Sequence, residues 1–249
     1  MKLVFLTTVD PIYLPEFFAR VLDTYGAQTQ AVYLVPPLYK DQTPAQAVRR
    51  YFQTFGIEGV IGLVWRLLQV RVKRQSIEAV CKERGVRAAA VRDVNAPEFL
   101  EELGDMRPDL IVSVSCPQIF KKTLIELPPS GCVNIHGSIL PNYRGIMPSF
   151  WMLANGESRA GVSIYFVNER IDAGDLCGQR IFAIDPTETL DQFLRRSKAI
   201  AADLLLETLD AIERGAVTRT PLDLTQGHLH SWPDKESVER FRASGRRLW

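Results

Sequence analysis

The sequence predicts an α/β protein: a doubly wound, mostly parallel sheet with a helical insertion and a short C-terminal extension. Three observations predict it. Lys2-Leu-Val-Phe-Leu-Thr7 and Leu110-Ile-Val-Ser-Val-Ser115 are nearly unbroken apolar runs of strand length, as strands buried on both faces require. Strand-like and helix-period stretches alternate along the N-terminal half, the pattern of strand–helix–strand units. In the stretch 132–175, polar residues with chemistry in them sit between runs rich in β-branched and aromatic residues.

Taken in order, the first strand spans 2–7, and a loop through Asp10 and Pro11 leads to a helix over 15–25 that Gly26 ends. The second strand, 30–35, is closed by Pro36-Pro37. No G-x-G-x-x-G turn follows the first strand, so a dinucleotide is not supported. Residues 40–85 form the insertion. Val48, Tyr51, Phe52 and Phe55, then Ile61, Val64, Leu67, Leu68 and Val72, recur at helical spacing among Arg49, Arg50, Arg66, Arg71, Lys73 and Arg74. The plain expectation is a pair of amphipathic helices packed on the sheet with a solvated basic face. The alternative is a segment that lines an acceptor site, or touches an anionic partner or a membrane surface.

The strand at 86–91 is followed by a helix over 97–104 with Asn95 as its upstream cap. The strand at 110–115 ends at Cys116-Pro-Gln-Ile-Phe120, where open α/β sheets bind ligands. A helix up to Leu127 is broken by Pro128-Pro129, and the strand carrying Asn134 begins. Helix 148–155, strands 161–167 and 180–184, and a long amphipathic helix over 189–214 complete residues 1–215, read as the catalytic domain. Residues 216–249 are too few for a second domain of usual size and are expected to pack back on the first. His228 and His230 share a strand face but lack a third ligand at recognisable spacing, so they read as surface.

Composition bounds the function. At 46% hydrophobic and 24% charged, the chain is an ordinary globular protein rather than a disordered one. A net charge of +1 argues against a broad nucleic-acid face while leaving room for a local patch. The four cysteines show no CxxC spacing, which fits reduced thiols in a cytoplasmic enzyme without structural zinc. The apolar start is shorter than a signal peptide, and no run approaches a membrane span.

Asn134-x-His136-x-Ser138 directs an amide, an imidazole and a hydroxyl to one face of a strand end. Pro141 and Gly145 then force a loop, and a second loop, Ile171-Asp-Ala-Gly-Asp175, brings Asp172 towards His136. Such a set suits acyl transfer. The imidazole hydrogen-bonds a carbonyl or takes a proton, the amide stabilises an oxyanion, and the carboxylate orients the imidazole or takes the amine proton. Ser138 has no second histidine nearby to activate it, so direct transfer between two bound substrates is the simpler scheme.

These residues resemble the signature of the formyltransferase family that uses 10-formyltetrahydrofolate. The matching pieces are Asn134-Ile-His136-Gly-Ser-Ile-Leu-Pro141, Tyr143-Arg-Gly145, Gly161-Val-Ser-Ile and Ile171-Asp-Ala-Gly-Asp175, in the right order with the right gaps. The resemblance implies a Rossmann-like fold, Asn134, His136 and Asp172 as a catalytic trio, and no metal. It puts Gln118, Ile119, Ser138, Leu140, Pro141 and Asp175 on the folate side. Tyr143, Arg144, Gly145, Phe150 and Trp151 fall on the side of a small-molecule amine acceptor.

Within the family, an aromatic pair at Phe150-Trp151 resembles the branch that formylates nucleotide-linked amino sugars, and Tyr165 stands where the purine-pathway enzyme carries histidine. Methionyl-tRNA formyltransferases continue into a β-barrel that grips tRNA. Fewer than forty residues remain here, so tRNA ranks second as acceptor. A formyltetrahydrofolate hydrolase is the alternative reaction, although such relatives carry an N-terminal regulatory domain and the first strand here starts at Lys2. A non-catalytic folate-binding protein would not require all three of the trio. The helices and aromatic tail leave room for a homodimer.

Overall fold

The computed structural model describes residues 1–36 and 43–249. Pro37 and the first residues of the expected insertion, 40–42, lie outside these. The strands are β1 (Leu3–Thr8), β2 (Thr29–Val35), β3 (Arg87–Ala90), β4 (Leu110–Val114), β5 (Cys132–His136), β6 (Arg144–Gly145), β7 (Arg159–Phe166), β8 (Leu176–Ala183) and β9 (Leu229–His230). One seven-stranded sheet runs in the order β3-β2-β1-β4-β5-β7-β8, and β6 pairs separately with β9. The first five of these strands are parallel to their neighbours; β7 and β8 join antiparallel at one edge. The expected doubly wound, mostly parallel sheet is therefore present.

The helices are α1 (Leu14–Tyr25), α2 (Pro44–Val72), α3 (Ile77–Glu83), α4 (Pro97–Met106), α5 (Lys122–Ile125), α6 (Pro148–Ala154), α7 (Leu190–Glu213) and α8 (Lys235–Ala243). The period of two along β1 explains the two cores. Leu3 and Phe5 pack with Phe17 and Phe18 of α1 and Ala201, Leu205 and Leu209 of α7 on one face. Val4 and Leu6 pack with Phe99 and Leu103 of α4 and Leu124 of α5 on the other. A third cluster joins Phe55 of α2, α6, Phe193 of α7 and Phe241 of α8. The C-terminal residues thus pack on α6 and α2, with Leu248 and Phe241 buried.

Two expectations change. The insertion forms the expected helices, but the long part does not pack on the sheet. α2 is a 29-residue helix broken at Gly56, which takes the left-handed φ of 71°, and it packs on α8 and the C-terminal residues. Among the described residues of the insertion, the short α3 reaches the sheet core, through Ile77 and Cys81. Nor does Asn95 cap α4, whose N-cap is Ala96. The Asn95 side chain instead donates to the Ile119 carbonyl and accepts from the Lys121 amide, pinning the loop after β4. Among the described residues no helix is long and apolar enough to cross a membrane.

Candidate active site

The carboxyl ends of β4 and β5 open onto a polar centre built by three elements. Cross-strand pairing sets Asn134 of β5 opposite Tyr165 of β7, so the two side chains meet on one face. Asn134 Nδ2 donates to the Tyr165 hydroxyl at 2.9 Å, and that hydroxyl donates to Asp172 Oδ1 at 2.8 Å. Asp172 sits in the loop between β7 and β8 with φ 46°, a conformation that aims its carboxylate back at β5. Its second oxygen accepts the Gly145 amide at 2.6 Å and stands 3.6 Å from His136 Nδ1. That last distance is too long for a hydrogen bond. The imidazole is oriented by its other nitrogen: Nε2 lies 2.7 Å from the Tyr143 carbonyl, which only accepts, so Nε2 carries the hydrogen. Burial first, then the Asp172 charge, pushes the Tyr165 phenol well above its ordinary range and keeps it a neutral donor.

Two cavities converge here. One of about 440 Å³ is walled by Gln118, Ile119, Phe120, Val167 and Leu229. The other, of about 460 Å³, is walled by Tyr13, Ser115, His136, Phe150, Leu194 and Lys198. Both include Cys116, Pro117, Asn134, Gly145, Ile146 and Asp172, so they meet at the polar centre. The Cys116 thiol at this junction is pushed up to about 11 by burial, which leaves it protonated near neutrality and a poor nucleophile. In the second cavity Lys198 Nζ donates to Ser115 Oγ at 2.8 Å; burial lowers its pKa and the Asp10 charge partly restores it.

Residues 66–209 match the family described as Formyl transferase, more than half of the chain. The chain belongs to the formyl transferase family. A methionyl-tRNA formyltransferase of Geobacter metallireducens is 35% identical over 147 residues, 59% of this chain and 47% of that protein. The chain thus spans about half the length of the curated relatives it matches. Among solved structures, a sugar N-formyltransferase from Shewanella sp FDAARGOS_354 superposes with TM-score 0.60 at 18% identity, covering 92% of this chain and 76% of that one. An N-formyltransferase from Helicobacter canadensis, in complex with folinic acid and dTDP-3-aminofucose, gives TM-score 0.60 at 15% identity over 94% and 73%. At these identities the structures speak to the fold, which is that of the formyl transferase chains.

The fold brings Asn134, His136, Asp172 and Gly145 together, with Gln118 and Ile119 on the first cavity and Phe150 on the second. The Gln118 side chain is already engaged, accepting the Val94 amide and donating to the Arg92 carbonyl. Other expected residues lie behind the site. Ser138 is fully buried and donates to the Asn142 carbonyl; Leu140 is buried with its amide on Ser163; Pro141 packs against Gly227. Asp175 meets β7 through its backbone carbonyl. Tyr143 and Arg144 flank the site without lining either cavity, the Tyr143 hydroxyl being held by Glu157. Trp151 also lines neither: its indole donates to the Ser231 carbonyl and its ring packs on His230.

His230, expected at the surface, is a correction. It is half-buried, stacks on Tyr143, and walls the first cavity with Leu229 and Ser231. Burial and the neighbouring His228 lower its pKa, so it is a neutral, flat wall. The sequence carried no local sign of this, because β9 reaches the site by pairing with β6, some 85 residues away. Tyr165 was visible only as a departure from the pattern of its relatives. Among the described residues no group of three His, Cys, Asp or Glu side chains is set to hold a metal ion.

Proposed function

We propose that this chain is an N-formyltransferase that moves a formyl group from 10-formyltetrahydrofolate to the primary amine of a nucleotide-linked amino sugar. The observation that carries the reading is the junction: two cavities of ligand size share Asn134 and Asp172, where the expected chemistry sits. The first suits a flat heteroaromatic donor, with apolar walls at Ile119, Phe120 and Val167. The second suits a polar acceptor, with Lys198, Ser115 and Tyr13 around it.

In this scheme the neutral amine attacks the formyl carbon, forming the new C–N bond as the bond to the folate nitrogen breaks. Asn134, which spends one amide hydrogen on Tyr165, keeps the other for the developing oxyanion. Asp172, fixed by Tyr165 and Gly145, takes the amine proton directly or through His136, and the leaving nitrogen is protonated in return. Holding both substrates at one point supplies orientation. Among the neighbours, the Helicobacter canadensis enzyme, captured with folinic acid and an amino-sugar nucleotide, favours this acceptor.

A second reading, methionyl-tRNA as acceptor, is favoured by the 35% identity to a methionyl-tRNA formyltransferase. Tetrahydrofolate release from 10-formyltetrahydrofolate, followed with amino-sugar nucleotides, with methionyl-tRNA and with no acceptor, separates the readings. Release with amino sugars alone supports the first and release with charged tRNA alone the second. Release without acceptor makes the chain a hydrolase, and binding without turnover makes it a folate-binding protein.

A further inference from the structure

Helix α2 is built inside out. Beyond the break at Gly56, Ile57, Ile61, Val64, Trp65, Leu68 and Val72 recur at intervals of one and two turns and all face solvent. Ile61 is 63% exposed, Trp65 61% and Val72 84%. The opposite side of the same helix, turned to the protein, carries Gly59, Gly62, Arg66 and Gln69 beside the half-buried Leu63 and Val70. Gly59 and Gly62 make room for Leu248 and Trp249, and a Cβ at Gly62 would lie 2.1 Å from the Trp249 ring. Arg66 bonds Gln69 and the buried Asp191 carboxylate, which in turn holds the Tyr13 hydroxyl. The exposed face is therefore not the by-product of a loosely attached helix; inward contacts fix which side points out. The stripe is about 22 Å long, at 1.5 Å per residue. An apolar surface of that length on a soluble domain marks a docking face.

Charge selects what docks. Residues 44–74 and 235–249, which contain α2 and the α8 layer it packs on, carry eleven basic and three acidic side chains. This layer is +8 in a chain whose formal net charge is +1, so the remainder is −7. Glu58, the one acid of α2, is within 3.9 Å of Arg242. Arg71, Lys73 and Arg74 are exposed at the C-terminal end of the stripe. Two copies joined through this layer would oppose like charge, and a polyanion such as tRNA would find Ile, Val and Leu where it needs cations. An anionic lipid surface satisfies both features, taking up the apolar stripe while basic side chains meet headgroups at the rim.

We propose that the exposed face of α2 is a membrane-docking surface that lays the protein flat on anionic lipid through Ile57, Ile61, Val64, Trp65, Leu68 and Val72, with Arg71, Lys73 and Arg74 on the headgroups. The stripe shares no residue with the cavities, so docking is independent of the formyl-transfer reading.

The test is co-sedimentation of the full chain with vesicles of phosphatidylcholine alone, or with one part phosphatidylglycerol to three of phosphatidylcholine. Binding to the anionic vesicles should exceed that to neutral ones by about tenfold and fall as salt rises. Ile61→Glu with Leu68→Glu should abolish it without lowering the melting temperature, since both positions are exposed. Arg71→Glu with Lys73→Glu should weaken it about tenfold with the stripe intact. The proposal is overturned by failure to bind anionic vesicles at low salt. A soluble dimer dissolved by the stripe variant, with no lipid affinity, would also overturn it, as would tRNA retention indifferent to that variant.

Discussion

Asp172 receives the Tyr165 hydroxyl on one oxygen and the Gly145 amide on the other, which leaves its remaining lone pairs aimed at the cavity junction and at His136. Replacing it with Asn removes the charge that, under the proposed function, accepts the amine proton, and keeps the shape. Asp172→Asn is expected to lower kcat by about 10³-fold or more, within the range of lost acid–base catalysis, with the melting temperature nearly unchanged. Steady-state rates and a thermal melt check it. Tyr165→Phe removes one donor to Asp172 and one acceptor from Asn134 at a buried position. Here kcat should fall about 10- to 100-fold while both KM values move less, if Tyr165, which also lines the first cavity, acts mainly by positioning Asn134 and Asp172 through its hydroxyl. A larger change in KM than in kcat would assign Tyr165 to ground-state binding instead. Asn134 and His136 were legible in the sequence because strand periodicity sets them on one face. Tyr165 was not, since a tyrosine inside an apolar strand run looks like core until its cross-strand partner is known.

At the level of elements, the site depends on the two-residue pairing of β6 with β9. Gly145 has φ 94°, and a Cβ there would lie 2.2 Å from the His230 carbonyl oxygen. Gly145→Ala must therefore part β6 from β9 as well as strain the backbone, at a cost of about 2–4 kcal/mol. Urea denaturation should show the loss, and the rate of acceptor-dependent turnover should drop with it because His230 and Leu229 leave the first cavity. Undiminished stability would mean that the tail is held by the α6 and α8 cluster alone. The α2 case shows what a pattern leaves open. Helical spacing of Ile61, Val64 and Leu68 identified a helix with an apolar face, but periodicity is silent on what covers that face. The sheet was the natural guess. The glycines at 59 and 62, which admit Trp249 and Leu248 on the other side, were the cue that the opposite face is the one turned inward.

On the scale of the whole molecule, the sheet order puts β4 and β5 at its centre and lets the antiparallel β7–β8 hairpin close one edge. Loops from the carboxyl ends of the parallel strands and from the hairpin then meet at one point, which is where open α/β sheets bind ligands. This much followed from the buried runs at 2–7 and 110–115 and from the spacing of the motifs between 134 and 175. The second wall of the first cavity did not, because it depends on contacts between residues far apart in the chain. Overall charge left a local patch open for a similar reason: a total of +1 is compatible with a basic layer balanced by an acidic remainder.

Under the proposed function, two cavities that meet at Asn134 and Asp172, with Cys116 held as a neutral thiol, call for direct transfer through a ternary complex. The most direct measurement follows an isotopically labelled formyl carbon from 10-formyltetrahydrofolate while both substrates are varied. Intersecting initial-rate lines, label in the amide of the acceptor, and no label on the protein at any time are the predicted result. Parallel lines with label held on the protein, or label released as formate at the same rate with and without an amine, would contradict it.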